Sequence, residues 1–275
     1  MKENMKNSQE KTILDSNFNV CPSCGETITY RDFELLSGKI MHLKIDCKCE
    51  RERKAKEEEI ENRKKLLREI DCVYRESYME KMAYKDNFNN WDFSKVNKKI
   101  YDFGRKFCDK FDEISKNGLG LFIYGRPGNG KTYLTSCIAN ELIEKKQIKI
   151  KYCGINFILN QIKSSYDYKA PEEVKTIGKF KDSKLLILDD LGTEQVTEWS
   201  RNKIYEIIDY RYRNKLSTII TTNLNMDEIT NKYTQRLADR MFEMCTKFEF
   251  TNESVRKQKA MENTEKIKYI LKLEK

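Results

Sequence analysis

The chain has 275 residues, of which 35% are charged and 39% are hydrophobic, and its formal net charge at pH 7 is +9. This length accommodates one sizeable domain and a small one, and the excess of Lys and Arg favours a polyanionic partner such as nucleic acid. No apolar run approaches the length of a membrane span and the polar start lacks a signal-peptide core, so we expect a cytoplasmic protein without a membrane partner.

Two cysteine pairs follow a polar stretch at residues 1–20, which we interpret as a loose leader. Their CxxC and CxC spacings let four thiolates surround one metal ion, and the segment is too small to form a core of its own. We therefore predict a zinc-binding amino-terminal module at residues 1–50, in which Zn²⁺ stabilises the fold and takes no part in chemistry. The predicted zinc ligands are Cys21, Cys24, Cys47 and Cys49.

His42 is the only histidine and is an alternative to one member of the CxC pair, although four thiolates already complete a tetrahedral site. A redox role for the CxxC pair is disfavoured because no βαβ pattern surrounds it. The other five cysteines are scattered, as expected for reduced residues of a cytosolic protein: Cys72, Cys108, Cys137, Cys153 and Cys245.

A highly charged stretch, ERERKAKEEEIENRKKLLREID, comes directly after the cysteines. It has almost no apolar face, but it carries i,i+4 pairs of opposite charge such as Glu52 with Lys56 and Glu59 with Arg63. Each pair stabilises a helix by only ~0.3 kcal/mol. We predict an exposed helical linker at residues 51–79, and a disordered charged tether is the alternative.

Residues 80–256 alternate between apolar strands and segments long enough for helices, which is typical of an α/β domain with a parallel sheet. We expect residues 257–275 to form a short C-terminal tail. The predicted strands are 120–125, 148–153, 184–190, 217–223 and 247–251.

The sequence GRPGNGKT fits the P-loop pattern G-x-x-x-x-G-K-[ST], between a buried strand and a helical segment. Glycines let the backbone N–H groups point at phosphate oxygens, Lys131 reaches the β- and γ-phosphates, and the Thr132 hydroxyl binds Mg²⁺. A flexible glycine turn with an incidental lysine is disfavoured by the order of strand, loop and helix. The residues expected around the nucleotide are Gly125, Arg126, Pro127, Gly128, Asn129, Gly130, Lys131, Thr132 and Tyr133.

Two later strands end in polar residues. Asp189 and Asp190 end the apolar run KLLILDD, where Asp189 is placed to hold Mg²⁺ and Asp190 to orient or deprotonate the attacking water. Asn223 follows the strand STIITT and is a candidate sensor of the γ-phosphate. Taken alone, each of these segments is also compatible with an ordinary turn.

Three further segments are candidates for contacts with other molecules. Arg236 and Arg240 lie at i,i+4, where guanidinium groups can reach a phosphate on a neighbouring subunit, although a solvated helix face is the alternative. Lys163, Tyr166 and Lys169 interleave cations and aromatic rings as single-stranded DNA binding requires. A second basic and aromatic patch, DYRYRNK at 209–215, is equally compatible with cations that complement a helix dipole.

The series GRPGNGKT, LLILDDLGTEQVTEW, IITTNLN and QRLADR resembles the AAA+ ATPases of the DnaC/DnaI helicase-loader group, close kin of the IstB transposition ATPases. The resemblance covers roughly residues 80–256 and implies an AAA+ P-loop core without a helical lid, which binds ATP and Mg²⁺. It further implies that Asp190 is the catalytic acid, Asn223 is sensor 1 and Arg240 is an arginine finger supplied in trans. Arg256 matches a further arginine near the nucleotide.

The same resemblance implies a function. Subunits would associate through the ATP site, hydrolyse ATP when stimulated by DNA, and load the replicative hexameric DNA helicase onto single-stranded DNA during DNA replication. The amino-terminal zinc module would bind the helicase. The alternatives are an IstB-like transposition helper that binds duplex DNA and a non-catalytic nucleotide-switch adaptor; a small-molecule kinase is disfavoured because it has no role for paired arginines or a zinc module.

Overall fold

The structure is a computed structural model that describes residues 20–35, 37–165, 170–251 and 254–271. Most of the proposed leader and two of the proposed DNA contacts, Tyr166 and Lys169, lie outside these ranges. The chain divides into two compact units, the first ending at Arg68 and the second beginning at Glu69. In the described ranges, no helix combines the length and apolar character needed to cross a membrane.

The first unit contains an antiparallel hairpin and most of a long helix. Strands β1 (Thr29–Glu34) and β2 (Ile40–Ile45) pair along their whole length, and nearly all of their side chains are exposed. Helix α1 (Lys48–Ser77) covers the charged stretch, which is helical as its i,i+4 pairs predict. The linker role of this helix stays a prediction.

The second unit is an α/β domain with a five-stranded parallel sheet in the order β4-β5-β6-β3-β7, which confirms the predicted fold class. The observed strands begin and end within one or two residues of the predicted ones. They are β3 (Gly120–Tyr124), β4 (Ile150–Gly154), β5 (Leu185–Leu191), β6 (Ser217–Thr222) and β7 (Cys245–Glu249).

Helices cover both faces of this sheet. Two short 3-10 helices, Lys81–Lys85 and Phe88–Asn90, precede them. The α-helices are α2 (Lys98–Asp109), α3 (Phe111–Lys116), α4 (Lys131–Lys146), α5 (Ile155–Ser165), α6 (Ala170–Lys181), α7 (Glu198–Arg213), α8 (Met226–Lys232), α9 (Gln235–Met244) and α10 (Val255–Ile270).

Successive residues of the central strands enter two different hydrophobic cores. Leu121 and Ile123 pack with α2 and α4, whereas Phe122 packs with α5, α7 and α9 on the other face. Because both faces are covered, β3 and β5 contain continuous apolar runs, LFI and LLIL, where a strand with one solvated face would alternate.

Helix α10 occupies most of the predicted tail. It begins at Val255, two residues before the predicted boundary at 257, and the Ser254 hydroxyl caps it by accepting from the Lys257 N–H at 3.3 Å. In the described residues after β7, α10 is the only helix.

Candidate nucleotide-binding and metal sites

The loop between β3 and α4 has the backbone conformation that its glycines permit. Gly128 and Gly130 have φ of 81° and 105°, in the left-handed region that disfavours other residues. At Gly125, a Cβ atom would lie 2.4 Å from the Phe250 carbonyl oxygen, so a side chain cannot be accommodated there. The loop therefore approaches β7 closely and leads directly into the first turn of α4.

Lys131 is buried and connects this loop to the end of β6. Its Nζ donates to the carbonyl oxygens of Gly125 and Arg126 at 2.8 and 3.0 Å, and to Asn223 Oδ1 at 2.9 Å. Burial lowers the pKa of Lys131, and the nearby carboxylate of Asp190 opposes that shift. Two residues predicted to contact the γ-phosphate, Lys131 and Asn223, thus lie side by side.

Thr132 and Asp189 also meet, as a pair of Mg²⁺ ligands requires. The Thr132 hydroxyl donates to Asp189 Oδ2 at 3.1 Å, and the Thr221 hydroxyl donates to Asp189 Oδ1 at 2.6 Å. Burial raises the pKa of Asp189, while the hydrogen bond from Thr221 opposes the shift. A hydroxyl and a carboxylate are the hard oxygen ligands that Mg²⁺ prefers, so the pair fits this ion.

Asp190 has a left-handed backbone with φ of 53°, which is uncommon for a residue with a side chain. Its N–H donates to the Thr221 hydroxyl at 2.9 Å, and its side chain lines the cavity beside Lys131. The two adjacent acids at the end of β5 therefore differ in position: Asp189 contacts Thr132, and Asp190 lines the cavity.

The cavity at this edge of the sheet has a volume of about 430 Å³, within the range of small-molecule sites. One wall of the cavity was not predicted from the sequence. This wall is the segment between the first 3-10 helix and α2. That segment carries no motif, and the Tyr133 hydroxyl holds it by donating to the Asn90 carbonyl at 3.2 Å. The missed lining residues are Asp86, Asn90, Asp92, Lys95 and Val96.

The two predicted arginine sites differ in position. Arg256, at the start of α10, lines the cavity as the resemblance implied. Arg240 lies on α9, where its guanidinium contacts the carboxylate of Asp209 and the hydroxyl of Tyr205. It is not among the side chains that line the cavity in the described chain.

The structure supports the two predicted DNA-contact segments to different extents. Lys163 lies with its Nζ 5.1 Å from the ring centroid of Trp199, so a cation and an aromatic ring do share one surface. In segment 209–215, Arg211 is fully buried and does not belong to an exposed basic patch, whereas the exposed Arg213 pairs with Asp209 at 2.9 Å. Both arginines lie in the last turn of α7, as the alternative of cations at a helix end predicts.

The four predicted zinc ligands form a cluster in the first unit. The sulfur atoms of Cys21, Cys24, Cys47 and Cys49 all lie within 4.8 Å of one another, and a tetrahedral zinc site with 2.3 Å bonds has edges of about 3.8 Å. Hydrogen bonds from the backbone of Ser23 and Cys24 lower the pKa of Cys21 to about 6, whereas hydrogen bonds with Cys47 and Cys21 raise the pKa of Cys49, so the support for zinc is the spacing of the four sulfur atoms. The cluster therefore fits Zn²⁺.

His42 is not part of this cluster. Its ring contacts the Asp32 carboxylate across the hairpin, and the metal-ligand group in the described residues consists of the four thiolates. The structure thus favours four sulfur ligands over a mixed set that includes the histidine.

We expect Cys24→Ser to lose zinc and to unfold the first unit. Structural zinc contributes about 10 kcal/mol or more to the folding of small zinc modules, and this hairpin has no buried core to replace it. Zinc content per chain and proteolysis of the hairpin measure the effect. Cys72→Ser, at an exposed cysteine on α1, is the matched control and should keep its zinc; equal zinc content in both variants would contradict the assignment.

Comparisons with known proteins identify a family of ATP-binding proteins and two named relatives. A family described as IstB-like ATP binding protein matches residues 53–263. The replicative helicase loader DnaI of Bacillus subtilis (strain 168) is 32% identical over 129 residues, which is 46% of this chain and 40% of that protein. The replicative helicase loader DnaC of Escherichia coli (strain K12) is 28% identical over 138 residues, 50% of this chain and 54% of that protein. The matches thus span about half of each relative.

Solved structures resemble the second unit. The crystal structure of the DnaC helicase loader has a TM-score of 0.55 and 28% identity, and the match covers 62% of this chain and 100% of that chain. The crystal structure of DnaI has a TM-score of 0.53 at 24% identity, covering 63% and 95%, which establishes likeness of fold.

Proposed function

The chain belongs to the IstB-like ATP-binding family, and from this premise we propose that it is an ATPase that loads a replicative hexameric DNA helicase onto single-stranded DNA. One observation carries the ATPase part of the proposal. Lys131, Thr132, Asp190 and Asn223 converge on one cavity, although they come from three different segments of the chain.

In this proposal each side chain has one task. Lys131 neutralises the β- and γ-phosphates, and Thr132 with Asp189 holds Mg²⁺, which when bound neutralises charge on the phosphates. Asp190 orients or deprotonates the water that attacks the γ-phosphate, because, of the two acids at the end of β5, it is Asp190, not Asp189, that lines the cavity. Asn223 senses the γ-phosphate through the amide that accepts from Lys131.

Self-association through the ATP site completes the catalytic set. Arg240 does not line the cavity in the described part of its own chain, which agrees with a role at the triphosphate of a second copy. A guanidinium supplied in trans stabilises the charge that develops on the transferred phosphoryl group. Head-to-tail subunits thus share each ATP molecule, as the resemblance to AAA+ loaders implies.

The helicase and DNA parts of the proposal depend on the relatives. Two of them are named replicative helicase loaders. We assign helicase binding to the zinc module and contact with single-stranded DNA to the surface of Lys163 beside Trp199.

The test is a loading experiment. Purified replicative helicase should assemble on circular single-stranded DNA faster with the chain and ATP than without them, and single-stranded DNA should stimulate ATP hydrolysis. Cys24→Ser should lose the helicase complex while Cys72→Ser keeps it. Absence of any helicase complex with the zinc-loaded chain would contradict the loader role.

The family name favours a second candidate function, an IstB-like transposition helper. A protein of that kind acts on duplex DNA and recruits a transposase. Stimulation of hydrolysis by duplex DNA alone, together with a transposase complex in place of a helicase complex, would support this candidate over the loader.

A further inference from the structure

Arg240, which is proposed to act on a second chain, contacts three side chains of α7 in its own chain. Its guanidinium contacts the Asp209 carboxylate and the Tyr205 hydroxyl. Its Cζ lies 4.8 Å from the ring centroid of Tyr205 and 5.7 Å from that of Tyr212. The side chain is only 13% exposed, and both polar contacts are made by Nη1 with residues of α7.

Asp209 offers Arg240 the same chemistry as a phosphate. A carboxylate and a phosphate both present anionic oxygens to the donors of a guanidinium. Arg240 therefore cannot bind a neighbour's phosphate with the donor that Asp209 occupies unless the ion pair opens. Two anions are therefore alternatives for Arg240: the Asp209 carboxylate of its own chain and a phosphate bound to a second chain.

Arg213 makes that exchange feasible. Its Nε lies 2.9 Å from Asp209 Oδ2, whereas Arg240 contacts Oδ1, so the two arginines use different oxygens of one carboxylate. Removing the sole partner of a poorly solvated charge is strongly destabilising. Because Arg213 stays behind, Asp209, which is 17% exposed, keeps a counter-ion when Arg240 leaves.

We propose that Asp209 is a positioning residue that holds Arg240 in the unassembled subunit and competes for it with the triphosphate of a neighbouring copy. Arg213 sets the strength of that competition by sharing the carboxylate. This inference rests on the proposed function, in which Arg240 acts in trans. It adds a condition for assembly: when two subunits meet without ATP, Arg240 stays paired with Asp209.

The experiment measures ATP hydrolysis against protein concentration. Asp209→Asn weakens the hold on Arg240, so half-maximal hydrolysis should occur at a protein concentration roughly 3- to 10-fold lower, as expected for loss of an ion pair. Arg213→Ala leaves the Asp209 carboxylate to Arg240 alone, so half-maximal hydrolysis should move to higher concentration. A general loss of stability would not shift the concentration for half-maximal hydrolysis in opposite directions in these two variants. Thermal unfolding of each variant measures its stability.

Asp239→Asn is the matched control. Asp239 precedes Arg240 on α9 and accepts from Gln235 Nε2 at 2.7 Å, so the variant removes the same charge without touching the Asp209 pair. Its concentration curve should match that of the parent. Equal shifts in Asp209→Asn and Asp239→Asn, or a rise in the concentration required by Asp209→Asn, would overturn the role of Asp209.

Arg240→Ala separates this outcome from failure of the proposed function. If hydrolysis by Arg240→Ala is unchanged and independent of protein concentration, the shared ATP site is wrong, and the role of Asp209 falls with it. If Arg240→Ala loses hydrolysis while Asp209→Asn behaves as the parent, only the role of Asp209 is wrong.

Discussion

The variant Asp190→Asn is expected to hydrolyse ATP at least ~100-fold more slowly than the parent while binding ATP with similar affinity. Asparagine has the same shape as aspartate and tolerates the left-handed backbone at this position, where φ is 53°. The amide, however, cannot accept a proton from the attacking water. Phosphate release and equilibrium binding of ATP to the same preparation measure the two effects separately.

Asp227→Asn is the control for this prediction, because Asp227 is an exposed acid on α8 that does not line the cavity. It should hydrolyse ATP at the parental rate. Unchanged hydrolysis by Asp190→Asn would remove the proposed base. If the parent itself binds ATP but shows no turnover with or without DNA, the chain is a nucleotide-switch adaptor.

The variant Arg211→Met is expected to lower the free energy of unfolding of the second unit by about 3–5 kcal/mol. Arg211 is fully buried, and its guanidinium joins the end of α6, the loop before β5 and strand β6 by donating to oxygens on all three segments. Burial lowers its pKa to about 9, so the side chain is still charged at neutral pH. Methionine leaves several acceptors without a donor, each costing about 1–3 kcal/mol if no water replaces it. The acceptors include Phe180 O at 3.0 Å, Lys181 O at 2.9 Å, Ser183 O at 2.9 Å and Thr218 Oγ1 at 2.9 Å.

Urea unfolding followed by tryptophan fluorescence measures this effect, because Trp91 and Trp199 are the only tryptophans and both belong to the second unit. Arg213→Met, on the same helix but 64% exposed, is the matched control and should change stability by about 0.5 kcal/mol or less. A similar midpoint for both variants would mean that the buried arginine does not hold the three segments together.

The motifs of the nucleotide site were predictable because each is local. Gly125, Gly128 and Gly130 are needed for the path of a single loop, and the apolar run before Asp189 identifies a strand with both faces covered. Parallel strands then bring their carboxyl ends to one edge, which accounts for the proximity of Asn223 to Lys131. Cysteine spacing similarly predicted a cluster that the structure contains.

Burial of polar residues was not predictable in the same way. Arg211 lies in a sequence, DYRYRNK, that looks like an exposed basic surface, and its burial depends on carbonyl groups supplied by α6 and β6. The local pattern contains no information about those acceptors. Of the two interpretations of this segment, the exposed basic patch therefore fails at Arg211, and the helix end agrees with the structure.

By itself, the sequence determined the α/β class, the phosphate-binding loop, the acids at the end of β5 and the four clustered cysteines, because each depends on residues within one strand, loop or turn. Only the tertiary structure decided which segment walls the cavity beside Tyr133, and that Asp209 holds Arg240. Those contacts join residues about 30 or more positions apart, and packing of whole helices, not local spacing, brings such residues together.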